Sequence, residues 1–167
     1  MDQSHKPSTI YYLQMLDRAD LQGKPSPPGL DISMVAPPAF ELNRRFYKDV
    51  GARWEWTERL PWSDEQWAAY VNRPQFQTWT ASLDGESAGY FELEFQSPGD
   101  VEIIYFGLLD EFTGRGLGGA MLSQAVERAW SFGEVRRVWV HTCTKDHPAA
   151  LKNYLRRGFQ LYDTRQA

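Results

Sequence analysis

The sequence predicts one α/β domain, a sheet with helices packed on it, and three observations carry that expectation. Apolar residues run unbroken through Ile103, Ile104, Tyr105, Phe106, Gly107, Leu108 and Leu109. The run is too continuous for a half-solvated strand and too short for an ordinary helix, so it reads as an interior strand. The stretch Gly114, Arg115, Gly116, Leu117, Gly118, Gly119 then opens into apolar residues at helical spacing, among them Met121, Leu122, Ala125, Val126, Ala129 and Trp130. Alternating runs at 78–83 and 88–95 flank an Asp84, Gly85 turn, the pattern of a β-hairpin.

The remaining elements follow in order. Residues 1–8 are polar and expected to fray. The stretch 9–16 reads as a first strand. Residues 21–38 hold Gly23, Pro25, Pro27, Pro28, Gly29, Pro37 and Pro38 and read as surface loop. Phe40, Leu42, Phe46, Tyr47 and Val50 then give a helical stripe ended by Gly51. Ser63 can cap a second helix, with Gln66 reaching back and Trp67, Tyr70 and Val71 on its apolar side. In the hairpin, Tyr90 and Glu92 share one face, and Phe91, Leu93 and Phe95 the other. Residues 135–140 make a further strand. His147 and Pro148 open a short helix carrying Ala150, Leu151, Tyr154 and Leu155; Gly158 stops it, and 159–162 form a last strand. Trp54, Trp56, Trp62, Trp67 and Trp79 cluster before the hairpin's second strand, either packing helices on the sheet or lining an acceptor cavity.

Composition bounds the function. A chain of 167 residues is expected to be one domain, 1–167, and 42% apolar residues suffice for a sizeable core. No apolar run approaches the roughly 20 residues that span a bilayer, and the N-terminal stretch does not resemble a signal peptide. The single Cys143 rules out an intrachain disulfide and fits a reducing, cytoplasmic setting. With 22 acids against 18 Lys and Arg, nucleic acid is a poor partner, because its affinity rests on neutralised phosphates. A modest negative charge suits an amine substrate.

The glycine turn is where chemistry is expected. Glycines let backbone approach a ligand closely, and the first helical turn offers unpaired N–H donors at the positive end of its dipole, a place suited to a diphosphate. The alternative is a tight strand-to-helix turn and nothing more. The dinucleotide fold is disfavoured, since four residues separate Leu109 from Gly114 and the next strand ends in His141, Thr142, Cys143 rather than an acid. The triphosphatase pattern of Gly-Lys-Ser or Gly-Lys-Thr is absent.

The run Thr113, Gly114, Arg115, Gly116, Leu117, Gly118 resembles the diphosphate signature of the GNAT superfamily of acetyl-coenzyme A-dependent N-acetyltransferases, with Thr113 in place of the usual Arg or Gln. Ala150, Tyr154, Gly158 and Phe159 match the family's second motif, while His147 and Asn153 depart from it. The resemblance is strongest over 78–162. It implies a mixed sheet splayed between its fourth and fifth strands, with acetyl-CoA as co-substrate held by Phe106, Gly107, Leu108 and Leu109 and by Gly114, Arg115, Gly116, Leu117, Gly118 and Gly119. The main-chain N–H near Leu109 is the expected donor to the thioester oxygen.

Amine acylation needs a neutral nucleophile and a proton for the departing thiolate. A lysine-like ammonium, with a pKa near 10.4, must first lose its proton. Glu102 stands where some family members place a general base, and its other reading is a solvated acid at a strand start. Tyr154 resembles the family tyrosine that protonates the thiolate. Glu92 and Glu94 are weaker candidates for binding an acceptor ammonium, and an exposed hairpin face explains their alternation as well. His141, Cys143 and His147 do not make up a metal ligand set, and no metal is expected. The acceptor is expected to be a small-molecule amine, with a peptide amine or a coenzyme A-binding sensor as the competing readings. The short stretch after Tyr162 leaves the family's seventh strand absent, displaced or supplied by a second subunit, so a homodimer is one arrangement the sequence allows.

Overall fold

Alternation and helical stripes become the expected elements, with one addition. The computed structural model describes residues 7–167; of the stretch expected to fray, residues 1–6 lie outside the described residues. Among the described residues the strands are β1 (Thr9–Met15), β2 (Leu30–Met34), β3 (Phe76–Leu83), β4 (Glu86–Gln96), β5 (Asp100–Leu108), β6 (Arg137–Cys143) and β7 (Gln160–Gln166). The helices are α1 (Phe40–Gly51), α2 (Asp64–Val71), α3 (Leu117–Trp130) and α4 (Ala150–Arg156). All seven strands join one sheet in the order β2-β3-β4-β5-β6-β1-β7. Only β5 and β6 run parallel, so the sheet is mixed.

Two expectations are corrected. The loop expected over 21–38 contains β2, an edge strand on β3 whose Leu30 and Ile32 reach the core while prolines stay outside its bounds. Prolines are tolerated beside an edge strand, which is why the pattern hid it. The last strand runs to Gln166 and pairs with β1, which lies between β6 and β7. The sheet thus has seven strands from this chain alone.

The two faces of β4 part as its alternation predicts. Phe91 and Leu93 pack with Val101, Ile103, Met121, Leu122 and Val126 under α3. Tyr90 turns the other way and stacks on Phe46 of α1, ring centroids 5.0 Å apart. Because α1 and α2 cover that second face, Glu92 is not on an exposed hairpin face: it is fully buried. The capping box forms as expected, with Gln66 N–H on Ser63 Oγ and Ser63 N–H on Gln66 Oε1.

One irregularity in β5 positions the site. Phe91 pairs with Phe106 but Leu93 pairs with Ile103, so β5 carries one extra residue against β4. Such a bulge re-aims side chains. Val101 and Ile103 face α3 before it, as do Phe106 and Leu108 after it, while Tyr105 and Leu109 join the α1 side. No helix among the described residues is long and apolar enough to cross a membrane.

Candidate active site

The parallel pair β5 and β6 stays together only at Asp100, Val101 and Glu102, opposite Arg137, Val138 and Trp139. Beyond Glu102 the strands part, which is the expected splay; the extra β2 makes these the fifth and sixth strands of the chain. A cavity of about 800 Å³ fills the gap. Phe106, Gly107 and Leu108 line it, and so do Gly114, Gly116, Leu117, Gly118, Gly119 and Tyr154.

The glycine turn earns its composition locally. Gly114 and Gly116 both have φ of 76°, a left-handed conformation that strains other residues. Gly116 is the N-cap of α3 and supplies no capping side chain, so the first-turn amides are left without a side-chain partner there. Two cations overlie the turn. Lys24 Nζ donates to Gly116 O at 2.8 Å, and its backbone N–H is fixed on Ser123 Oγ of α3. A Cβ on Gly119 would stand 3.0 Å from Lys24 Cδ and 3.2 Å from Arg157 Nη1. Asn153 Nδ2 donates to Gly118 O and ties α4 to the same turn. Free amides, two cations and room without side chains fit a diphosphate.

Three predicted residues do not line the cavity. The Leu109 N–H is spent on Ala88 O at 2.7 Å, so it is no free donor for a thioester oxygen. Arg115 turns outward over the Phe112 ring. Glu102 sits one layer behind the wall, its side chain 13% exposed and its Oε2 3.7 Å from His141 Nε2, and His141 does line the cavity.

Electrostatics separate these groups. Desolvation pushes the Glu102 carboxyl up to about 7, against the lowering effect of the hydrogen bond from Gln96. Desolvation also lowers the His141 imidazole. The Tyr154 hydroxyl is held well above its ordinary value by burial; the residue is 6% exposed and its ring is wedged against Phe106 and Phe159. Burial likewise pushes the Cys143 thiol up, and the nearby Asp146 carboxylate adds to that, so the thiol is not activated. Asp146 accepts from Thr142, from the Cys143 N–H and, across the cleft, from Trp56 Nε1. Among the described residues no group of three His, Cys, Asp or Glu converges on a metal position.

The other end of the cavity is aromatic. Trp54, Trp56 and Trp62 line it, whereas Trp67 is buried core and Trp79 packs on Phe91 across the sheet, so the tryptophan cluster divides between wall and packing. At this end lies Arg59, 4% exposed, with Nη1 donating to both oxygens of Glu92 at 2.9 and 3.1 Å. Asn43 Nδ2 donates to Glu92 as well, so this acid is saturated. Glu94 is held by Arg73 and Gln96. Sequence reasoning missed Lys24 and Arg59, because one stands in a proline-rich loop and the other between a glutamate and a leucine, without a pattern that marks either.

Solved structures share this architecture. A GCN5-related N-acetyltransferase from Kribbella flavida is 20% identical with a TM-score of 0.68, covering 93% of this chain and 55% of its own. A functionally unknown conserved protein from Staphylococcus epidermidis is 17% identical with a TM-score of 0.62, covering 96% and 60%. An aminoglycoside acetyltransferase from an uncultured soil metagenomic sample is 17% identical with a TM-score of 0.61, covering 76% and 86%. The chain thus spans 55–60% of the first two proteins' length, and at these identities the likeness shows the fold. No curated protein matches the chain. A mixed sheet parted at one parallel pair, with a glycine turn at the gap, is the scaffold of an acetyltransferase-like fold. The model of the acetyltransferase (GNAT) family matches residues 38–159, and the chain belongs to that family.

Proposed function

We propose that the chain is an N-acetyltransferase that moves an acetyl group from acetyl-CoA to a primary amine by direct attack within a ternary complex. The observation that carries this reading is the single cavity joining the uncapped glycine turn, Tyr154 and the aromatic acceptor end through the parted strands. Amides of the first turn of α3, Lys24 and Arg157 hold the diphosphate. The open edge of β5 over 103–108 takes the pantetheine arm and supplies the donor that Leu109 cannot.

Holding amine and thioester side by side removes much of the entropic barrier. The entering ammonium gives one proton toward Glu102 through His141 or water and Glu102 passes it to solvent; the neutral amine forms the new C–N bond, and its nitrogen loses its second proton by the same route as the C–S bond breaks. Tyr154 protonates the departing sulfur and regains a proton from solvent. Release of free coenzyme A thiol together with an acetylated product of the expected mass tests the reading; binding of acetyl-CoA without either would leave only a sensor.

Glu102 works as a base only when ionised, so kcat/KM is expected to rise with pH through an inflection near 7. Glu102→Gln should lower kcat about 10²-fold and remove that inflection. The stability sign is opposite to that of a salt-bridged acid. The folded carboxyl binds its proton more tightly than the unfolded one, at about 7 against 4.5, so its contribution is present below 4.5 and is lost as pH rises to 7. Glu102→Gln should therefore melt higher than the parent at pH 8 by more than at pH 5. An unchanged pH profile in the variant would remove Glu102 from the proton path.

Lys24→Ala should weaken acetyl-CoA binding about tenfold, as expected for loss of a charged hydrogen bond. Affinity for acetyl-pantetheine, which lacks the diphosphate, should not change. Equal losses for both ligands in a titration would place Lys24 elsewhere.

A further inference from the structure

Arg59 offers an unfilled hydrogen-bonding edge. Its Nη1 is committed to Glu92, while Nε and Nη2 have no hydrogen-bond partner among the described residues. Among the described residues the side-chain polar atoms sealed from solvent without a partner are Asn43 Oδ1, Tyr90 Oη, Trp130 Nε1 and Arg157 Nε, and neither Arg59 atom is one of them. Arg59 is 4% exposed and is one of the residues that line the cavity, the space from which a ligand would reach that edge. Nε–H and the adjacent Nη2–H of a guanidinium point the same way, the fork that takes both oxygens of a carboxylate.

The surroundings set what the rest of the ligand must be. The guanidinium lies 4.4 Å from the Tyr70 ring centroid, 4.6 Å from that of Tyr105 and 5.0 Å from that of Trp62, and Trp56 packs on Tyr105 at 4.7 Å. Tyr105 precedes Phe106, which lines the thioester side, so the fork stands next to the reacting region. Among the acids that line the cavity, exposed Glu58 has no partner among the described residues, and the other acids at this end are engaged. Glu92 is bound by Arg59, Asp146 by Trp56 and Thr142, and Glu55 by Lys145 at 3.1 Å.

We infer that the acceptor is a small amino acid with an apolar or aromatic side chain, its carboxylate held on the Nε and Nη2 edge of Arg59 and its amine directed toward the parted strands. The inference rests on the acetyltransferase reading and narrows it. Glu92 then serves as a positioning residue: it orients the guanidinium and neutralises it in the empty pocket, so the fork presents hydrogen bonds without an isolated buried charge.

The test measures coenzyme A thiol release and acetylated product with L-phenylalanine and L-tryptophan, their primary amides, phenethylamine, tryptamine and spermidine. The free acids should exceed their amides and the decarboxylated amines in kcat/KM at least about 30-fold, the scale of a lost charged contact. Arg59→Lys, which keeps the charge beside Glu92 but not the fork, should shrink that ratio to a few-fold. Faster turnover of phenethylamine, tryptamine or spermidine than of the acids would overturn the acceptor class while leaving acetyl transfer standing. Absence of thiol release with every amine, in protein that binds acetyl-CoA, would overturn both. The comparison among acceptors in the parent protein decides the matter even if the variant fails to fold.

Discussion

Tyr154→Phe is expected to lower kcat about 10²-fold while the dissociation constant of acetyl-CoA changes little. The ring is packed between Phe106 and Phe159, and phenylalanine preserves those contacts. What is lost is one hydroxyl, which makes no hydrogen bond to the described residues and sits on a cavity-lining residue. Its burial-raised pKa keeps the proton on the oxygen throughout the neutral range, so the group is an acid in waiting rather than a base. A loss confined to turnover, read by steady-state kinetics beside a titration, fits proton donation in the transition state. Equal weakening of binding would make Tyr154 a wall residue, and an unchanged kcat would remove it from the proton path.

The second large effect concerns stability. Glu92→Ala is expected to cost about 3–5 kcal/mol, because it strands the Arg59 guanidinium in a buried site. In a domain of this size that corresponds to a melting temperature lower by roughly 6–20 °C. Arg59 gains little relief from water there, and Asn43 and Thr78 lose the centre of their own hydrogen-bonded group. Replacing both partners, Arg59→Met with Glu92→Leu, should recover much of the loss, since no buried charge then remains. Thermal or denaturant unfolding checks both arms. A single-variant loss under about 1 kcal/mol would mean that water reaches the pair freely.

These two residues also show where sequence pattern stops. The place of Tyr154 on a short helix was legible because a helical stripe, a stop at Gly158 and an aromatic at 159 stand at fixed spacing, and local spacing is what sequence reports. Glu92 looked like one of two acids alternating on a strand. Its burial became visible only when α1 and α2 closed over that face and brought Arg59, 33 residues upstream, against it. Leu109 failed for a similar reason. Its backbone N–H depends on the neighbouring strand β4, where the carbonyl of Ala88 takes it.

Periodicity, turn chemistry and capping by themselves determined that this chain makes a hairpin, an interior strand, a glycine turn and an amphipathic helix in that order. Those features depend on neighbours a few residues apart. The tertiary structure alone decided that β5 and β6 part after Glu102, that Lys24 lies over the turn, that Glu102 sits behind His141, and that Arg59 keeps an open edge. Each of these is a meeting of segments distant in sequence, fixed by which faces bury apolar area together, and a linear pattern carries no record of such meetings.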